Sequence, residues 1–183
     1  MKKFATLLQI ALFVLIAPVA FGEIKKGDKL QTIVNLHPDM NKRLVYSMNY
    51  QMPGLIPVCS DVTITKVKKK VIEFDWEGMG YILKWDKHTR SAGVSLMQVA
   101  EGFFGSECDK KKIDSMSEVD IQGIRLGQPK VGMSREGIHI AMGRPPYHAN
   151  PSLSAYRYTF WLNRFKKKAV EFDENNKVIN VRL

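Results

Sequence analysis

The sequence predicts an α+β fold with two unlike halves, and three observations carry that prediction. From Lys29 to Trp85 short strand signals follow one another with close turns and no helical period. One sharply punctuated helix lies between Ser134 and Gly143, and strand signals return from Tyr156 to the C-terminus. A small barrel or sandwich, followed by a helix and a meandering three-stranded antiparallel sheet, satisfies all three.

The first half is built from alternating patterns. "KLQTIVNL" runs to Pro38, "RLVYSMNY" follows, and Pro53 with Gly54 supplies a turn. In "GLIPVCSDVTITKV" the residues Val62, Ile64 and Val67 alternate with polar neighbours. "KKVIEFDW" places Ile72, Phe74 and Trp76 on one face at period two, and "YILKW" does the same with Tyr81, Leu83 and Trp85. Between these two lies "EGMG", whose glycines suit a tight hairpin.

Composition changes after Thr89. "SAGVSLMQVAEGFFG" spaces Leu96, Val99, Phe103 and Phe104 at helical steps and stops at Gly105, with Gly102 weakening the helix. The polar stretch "SECDKKKIDSMSEVD" then serves as the connection to the second half. Ser134 is a good N-cap, and Glu136 meets the positive end of the helix dipole in the first turn. Ile138 and Met142 share a face, Gly143 ends the helix, and Pro145 with Pro146 forbids continuation. Next come "YRYTFWLNRF", "KKAVEFD" and "KVINVRL", the last two flanking the turn "ENN", where asparagine tolerates a left-handed backbone. The expected division is residues 1–22 as a leader, 23–90 as the β domain, 91–118 as helix and connection, and 119–183 as the helix-plus-sheet domain.

The leader is "MKKFATLLQIALFVLIAPVAFGE": two lysines, an apolar run broken by Pro18, then small residues. That order is a secretory signal cleaved near Gly22, and no cysteine near the cleavage point could accept a bacterial lipid anchor. A periplasmic, soluble product in contact with the outer membrane is the expected destination. The chain carries 28 Lys and Arg against 18 Asp and Glu, a formal net charge of +10. Part of the excess lies in runs at Lys66 to Lys70, Lys110 to Lys112 and Lys166 to Lys168. In an exported protein such runs favour an envelope protein, anionic lipid or glycolipid over nucleic acid, although lysines on strand edges also block unwanted pairing. The two cysteines, Cys59 and Cys108, form an even count that predicts one disulfide in an oxidising compartment.

The order "VGMSREGIHIAMGRPP", then "YRYTFW", then "AVEFDENNKVINV" resembles the SmpA/OmlA group of envelope proteins, the BamE-like domain. Gly132, Met133, Ser134, Glu136, Met142, Gly143, Pro145, Trp161, Phe172, Asp173 and Val178 match its pattern, over about residues 120–183. The longer "PPYHANPSLSAYRYTFWLNRF" looks like a subgroup in which this domain follows an SH3-like barrel, and "NYQMPGLIPVCSDVTI" is similar to a segment of that barrel. Cys59 stands where the barrel pattern has glycine, and Tyr158 where the subgroup more often has tryptophan. The resemblance implies a fold related to the β-lactamase-inhibitor protein, no enzymatic activity, and interaction with envelope proteins or lipids.

Residues that could carry chemistry are sparse. His37, His88, His139 and His148 show no metal-ligand spacing, and H-E-x-x-H, a Walker loop and a G-x-S-x-G elbow are absent from the sequence. Neither a catalytic set, a metal nor a cofactor is expected. The function expected is a periplasmic interaction module in outer-membrane assembly or integrity. Its interface candidates are Arg144, Tyr147 and His148 on the loop after Gly143, with Trp161 and Arg164 on the strand face opposite the tyrosines. The competing role for Tyr147 and Trp161 is packing against the helix or the first half. The alternative function is an SH3-like groove lined by Tyr50, Trp76, Tyr81 and Trp85, which would recognise a peptide, a peptidoglycan fragment or an acidic glycolipid.

Overall fold

The computed structural model describes residues 23–183; the expected leader, residues 1–22, lies outside them. The first half is a curled six-stranded sheet made of β1 (Lys29–Thr32), β2 (Leu44–Tyr46), β3 (Asp61–Lys68), β4 (Val71–Trp76), β5 (Met79–Lys84) and β6 (Phe104–Gly105), in the order β2-β5-β4-β3-β1-β6. Strands β3, β4 and β5 form an antiparallel meander. The β4–β5 turn uses Glu77 and Gly78, both at positive φ, as a tight hairpin requires. Ile72, Phe74, Tyr81 and Leu83 are buried on one face, so the period-two reading holds there. Two short helices, α1 (Lys87–Ser91) and α2 (Leu96–Glu101), follow the meander, and α2 begins with a capping box between Ser95 and Gln98.

Two details differ from the pattern in the sequence. Helix α2 ends at Glu101 with Gly102 as its cap, so Phe104 sits on strand β6, paired antiparallel to β1. Strand β2 pairs with β5 in parallel, a pairing that follows from the chain's path and has no counterpart in local periodicity.

The second half contains α3 (Lys110–Asp114), α4 (Glu118–Leu126), α5 (Arg135–Met142) and the antiparallel sheet β7 (Arg157–Trp161), β8 (Lys167–Phe172) and β9 (Val178–Arg182). Ser134 caps α5 by accepting the backbone N–H of Gly137, and Asn176 takes the left-handed conformation in the β8–β9 turn. The stretch expected to be a plain connection therefore holds α3 and the start of α4. Helix α4 escaped the sequence reading because Gly123 depresses its propensity and its polar residues blur the stripe.

Gly123 on α4 and Gly137 on α5 are sites of close approach, the first to Met133 ahead of α5 and the second to Asp120 of α4. A methyl at Gly123 would overlap the Met133 thioether, and one at Gly137 would overlap the Asp120 carboxylate. Asp120 cannot yield, because it is buried and its oxygens accept from Ser134 N, Ser134 Oγ and Ser117 Oγ. Gly137→Ala is therefore expected to destabilise by about 1–3 kcal/mol, against the ordinary gain of about 1 kcal/mol for Gly→Ala in a helix. Urea denaturation followed by circular dichroism measures it; an unchanged or raised midpoint would show that the crossing has slack.

Each half has its own hydrophobic core. One runs from Ile24 to Phe104 inside the curled sheet, and the other packs Ile124, Met133, Ile138, Met142, Tyr158, Phe160, Val170, Phe172 and Val178 between the helices and the second sheet. A disulfide, Cys59–Cys108, ties the segment before β3 to the segment after β6, with Cα atoms 5.3 Å apart. Among the described residues no helix is long and apolar enough to cross a membrane.

Candidate functional site

The two cores meet at a polar seam around the end of α5. A helix leaves its last carbonyls without intrahelical partners, and here the first half supplies the donors. The backbone N–H of Asn35 donates to the Ile140 carbonyl at 2.8 Å. Asn35 Nδ2 donates to the carbonyls of Ala141 (3.2 Å) and Ile124 (2.6 Å), and His37 Nε2 lies 3.0 Å from the Ala141 carbonyl. Asn49 Nδ2 and Gln51 Nε2 reach the Met142 carbonyl at 2.7 and 3.0 Å. Asn49 Nδ2 also donates to the Arg144 carbonyl at 2.8 Å, and the Gln51 N–H donates to the Trp161 carbonyl at 2.8 Å. The seam thus fixes both the loop after Gly143 and the end of β7 against the first half.

Burial in this seam holds His37 below the usual histidine pKa, and the charge of Lys168 adds to the effect; hydrogen bonds to backbone oppose it. Burial likewise lowers His139, helped by Arg144 and opposed by Glu136. Each histidine is neutral in the folded state and binds a proton more readily when unfolded, near pH 6.5. Their contribution is complete above that value and is lost as pH falls through it toward the lower folded values. The urea midpoint is therefore expected to drop between pH 7 and pH 5, and to drop less in His37→Gln. A variant slope equal to that of wild type would remove His37 from the account.

Beyond the seam, several expected interface residues come together. The Arg144 guanidinium lies 3.9 Å from the Tyr147 ring centroid, and Tyr147 packs against the first core. His148 is exposed between His88, at 5.2 Å, and Trp161, at 5.9 Å between ring centroids. The Lys167 ammonium sits 4.2 Å from the half-buried Trp161 ring. Tyr50, half-buried, meets the edge of Tyr46 at 5.2 Å. Its hydroxyl is raised above the usual tyrosine range by burial, then by Asp86 and Tyr46, and Arg164 pulls it back. Arg164 itself projects over Phe165, which is 78 % exposed at the β7–β8 hairpin tip.

The four residues expected to line a groove do not share one surface. Tyr81 is only 1 % exposed and stacks on Phe74 at 5.6 Å. Trp76 leans on Tyr81, while Trp85 packs on the first core, donates its indole N–H to the Val94 carbonyl and lies under Arg90. Only Tyr50 joins the face around Trp161. Sequence reasoning overlooked His88 and Tyr46 as members of this face, because nothing local links them to the loop after α5.

The face combines aromatic rings with cations that enter no ion pair among the described residues. Asp86 lies beside it and accepts from Ser47 Oγ, Met48 N, Thr89 N and Thr89 Oγ1. Among the described residues no group of three or more His, Cys, Asp or Glu is placed to hold a metal ion. Such a surface can bury rings against a partner and attract negative charge. No family model, curated protein or solved structure matches the chain.

Proposed function

We propose that the protein is an exported, non-enzymatic interaction module of the cell envelope that supports outer-membrane assembly or integrity. In this reading the curled sheet is an SH3-like half, and α5 with the three-stranded sheet is a BamE-like half. The observation that carries the proposal is the face at which Tyr50, His148, Trp161, Arg164 and Lys167 gather. Aromatic rings anchored by a rigid seam, beside unpaired cations, are the composition of an interface hot spot. The disulfide is compatible with an oxidising compartment, and the matched pattern from Gly132 to Val178 gives the domain reading its support.

The test is capture from crosslinked envelope with the mature protein as bait. Outer-membrane assembly components are expected in the capture, and Trp161→Ala with Arg164→Glu is expected to reduce them by about tenfold or more, as loss of a hot spot does. The melting temperature of the variant guards against simple unfolding. Repeated absence of those components, with the bait abundant, would end this reading.

A further inference from the structure

A cleft of about 440 Å³ opens on the far side of the seam, between the Gln51–Leu55 segment, the turn after α4 and the β7–β8 hairpin. That volume is in the range of small-ligand sites. Leu55, Leu126 and Leu162 give it apolar walls, Lys166 and Lys168 bring two ammonium groups, and no acidic side chain lines it. His37 and Gln51 also border the cleft, but their donors are turned inward onto the end of α5, so they shape the wall.

Lys168 is the unusual group. It is half-buried on β8, opposite Phe160, and the ion pairs among the described residues all use other cations. Burial pushes its ammonium below the usual lysine pKa, with no carboxylate to offset the loss of water. A charge held in this way is stabilised by an anion that enters the cleft. The ammonium is a compact point charge, and no arginine lines the cleft to offer the planar fork that favours phosphate. The leucines beside it favour an apolar body attached to that anion.

We propose that this cleft binds a small carboxylate amphiphile, with the carboxylate on Lys168 and Lys166 and the apolar part on Leu55, Leu126 and Leu162. Two sources share that chemistry: the C-terminus of an apolar peptide, and a short fatty acid. The site is separate from the face around Trp161 and does not depend on the envelope reading.

The test is isothermal titration and amide chemical-shift mapping on the oxidised protein. The probes are N-acetyl-leucyl-leucine and its C-terminal amide, and octanoate and octanol. At least one acid is expected to bind with a Kd below about 1 mM, and its neutral counterpart to bind about tenfold more weakly or worse. Shifts should concentrate on Gln128, Lys166 and Lys168. Binding by the peptide acid alone or by octanoate alone identifies the source, and binding by both supports the shared chemistry. Lys168→Gln is expected to weaken binding by about tenfold. Leu126→Glu, which places a like charge at an exposed point of the rim, should do the same without touching Lys168, so it decides the matter if Lys168→Gln fails to fold. The proposal is overturned if neither acid binds, if acid and neutral probe bind alike, or if the folded variants bind as wild type does.

Discussion

Asn35→Ala is expected to cost about 3–5 kcal/mol of stability, far more than the loss of a few side-chain atoms would suggest. Asn35 is 1 % exposed, and its amide serves three separate segments. Its Nδ2 donates to Ile124 and Ala141, the C-terminal ends of α4 and α5, and its Oδ1 accepts the N–H of Val58 at 2.8 Å. Alanine leaves the Val58 N–H without its partner, and a buried orphan costs about 1–3 kcal/mol. It also removes one hydrogen bond from each of two carbonyls, at about 0.5–1.5 kcal/mol apiece, because Ala141 keeps His37 Nε2 and Ile124 keeps the Gly127 N–H. Some relaxation toward water lowers the sum, which is why the expectation stops near 5 kcal/mol. Denaturation by urea gives the number. A loss below about 1 kcal/mol would mean the seam tolerates rearrangement and does not bind the two halves as described. Asn35→Asp is a sharper probe, since it keeps the shape and the acceptor but removes the donor and adds a charge facing carbonyl oxygens.

Removal of the disulfide by Cys59→Ser with Cys108→Ser is expected to cost about 4 kcal/mol, from the chain entropy released by opening a loop of 49 residues. The melting temperature should fall by about 10 °C for a chain of this size. Cys59 adds a second effect. Its backbone sits at φ 64°, the left-handed region that favours glycine, and its N–H donates to the Thr32 carbonyl at 2.8 Å. Serine at that position keeps the strain; glycine relieves it. Cys59→Gly with Cys108→Ser should therefore be more stable than the double-serine variant by about 1 kcal/mol. Equal stability of the two would show that the conformation at 59 costs nothing measurable, and an unchanged melt on reduction of wild type would remove the disulfide from the stability account.

Local patterns were legible where one residue type has one physical use. The α5 helix follows from its cap, its apolar pair and its Gly-Pro-Pro stop, and the β4–β5 hairpin from alternation around glycine. Two cysteines left one intramolecular pairing, and the structure contains it. What stayed hidden depends on distance along the chain. Asn35, His37, Asn49 and Gln51 look like ordinary loop polar residues, and their partners lie 89 to 106 residues away. The parallel β2–β5 pair and the β1–β6 pair are likewise fixed by where the chain returns. The interface candidates are polar and aromatic types that local sequence can nominate, but their neighbours around Trp161 include His88 and Tyr46, which no local signal nominates. For the groove residues, period two placed Trp76, Tyr81 and Trp85 on one face, and that face is the one turned toward the core.

The seam also sets a timetable. Every donor that receives the end of α5 lies between Asn35 and Gln51, and both cysteines precede α3. A chain that emerges from its N-terminus presents the curled-sheet residues and both cysteines before α5. The donors of the seam are thus in place ahead of the helix end they receive. The reverse does not hold: a fragment beginning after the crosslink would present the Ile140, Ala141 and Met142 carbonyls with nothing of its own to meet them.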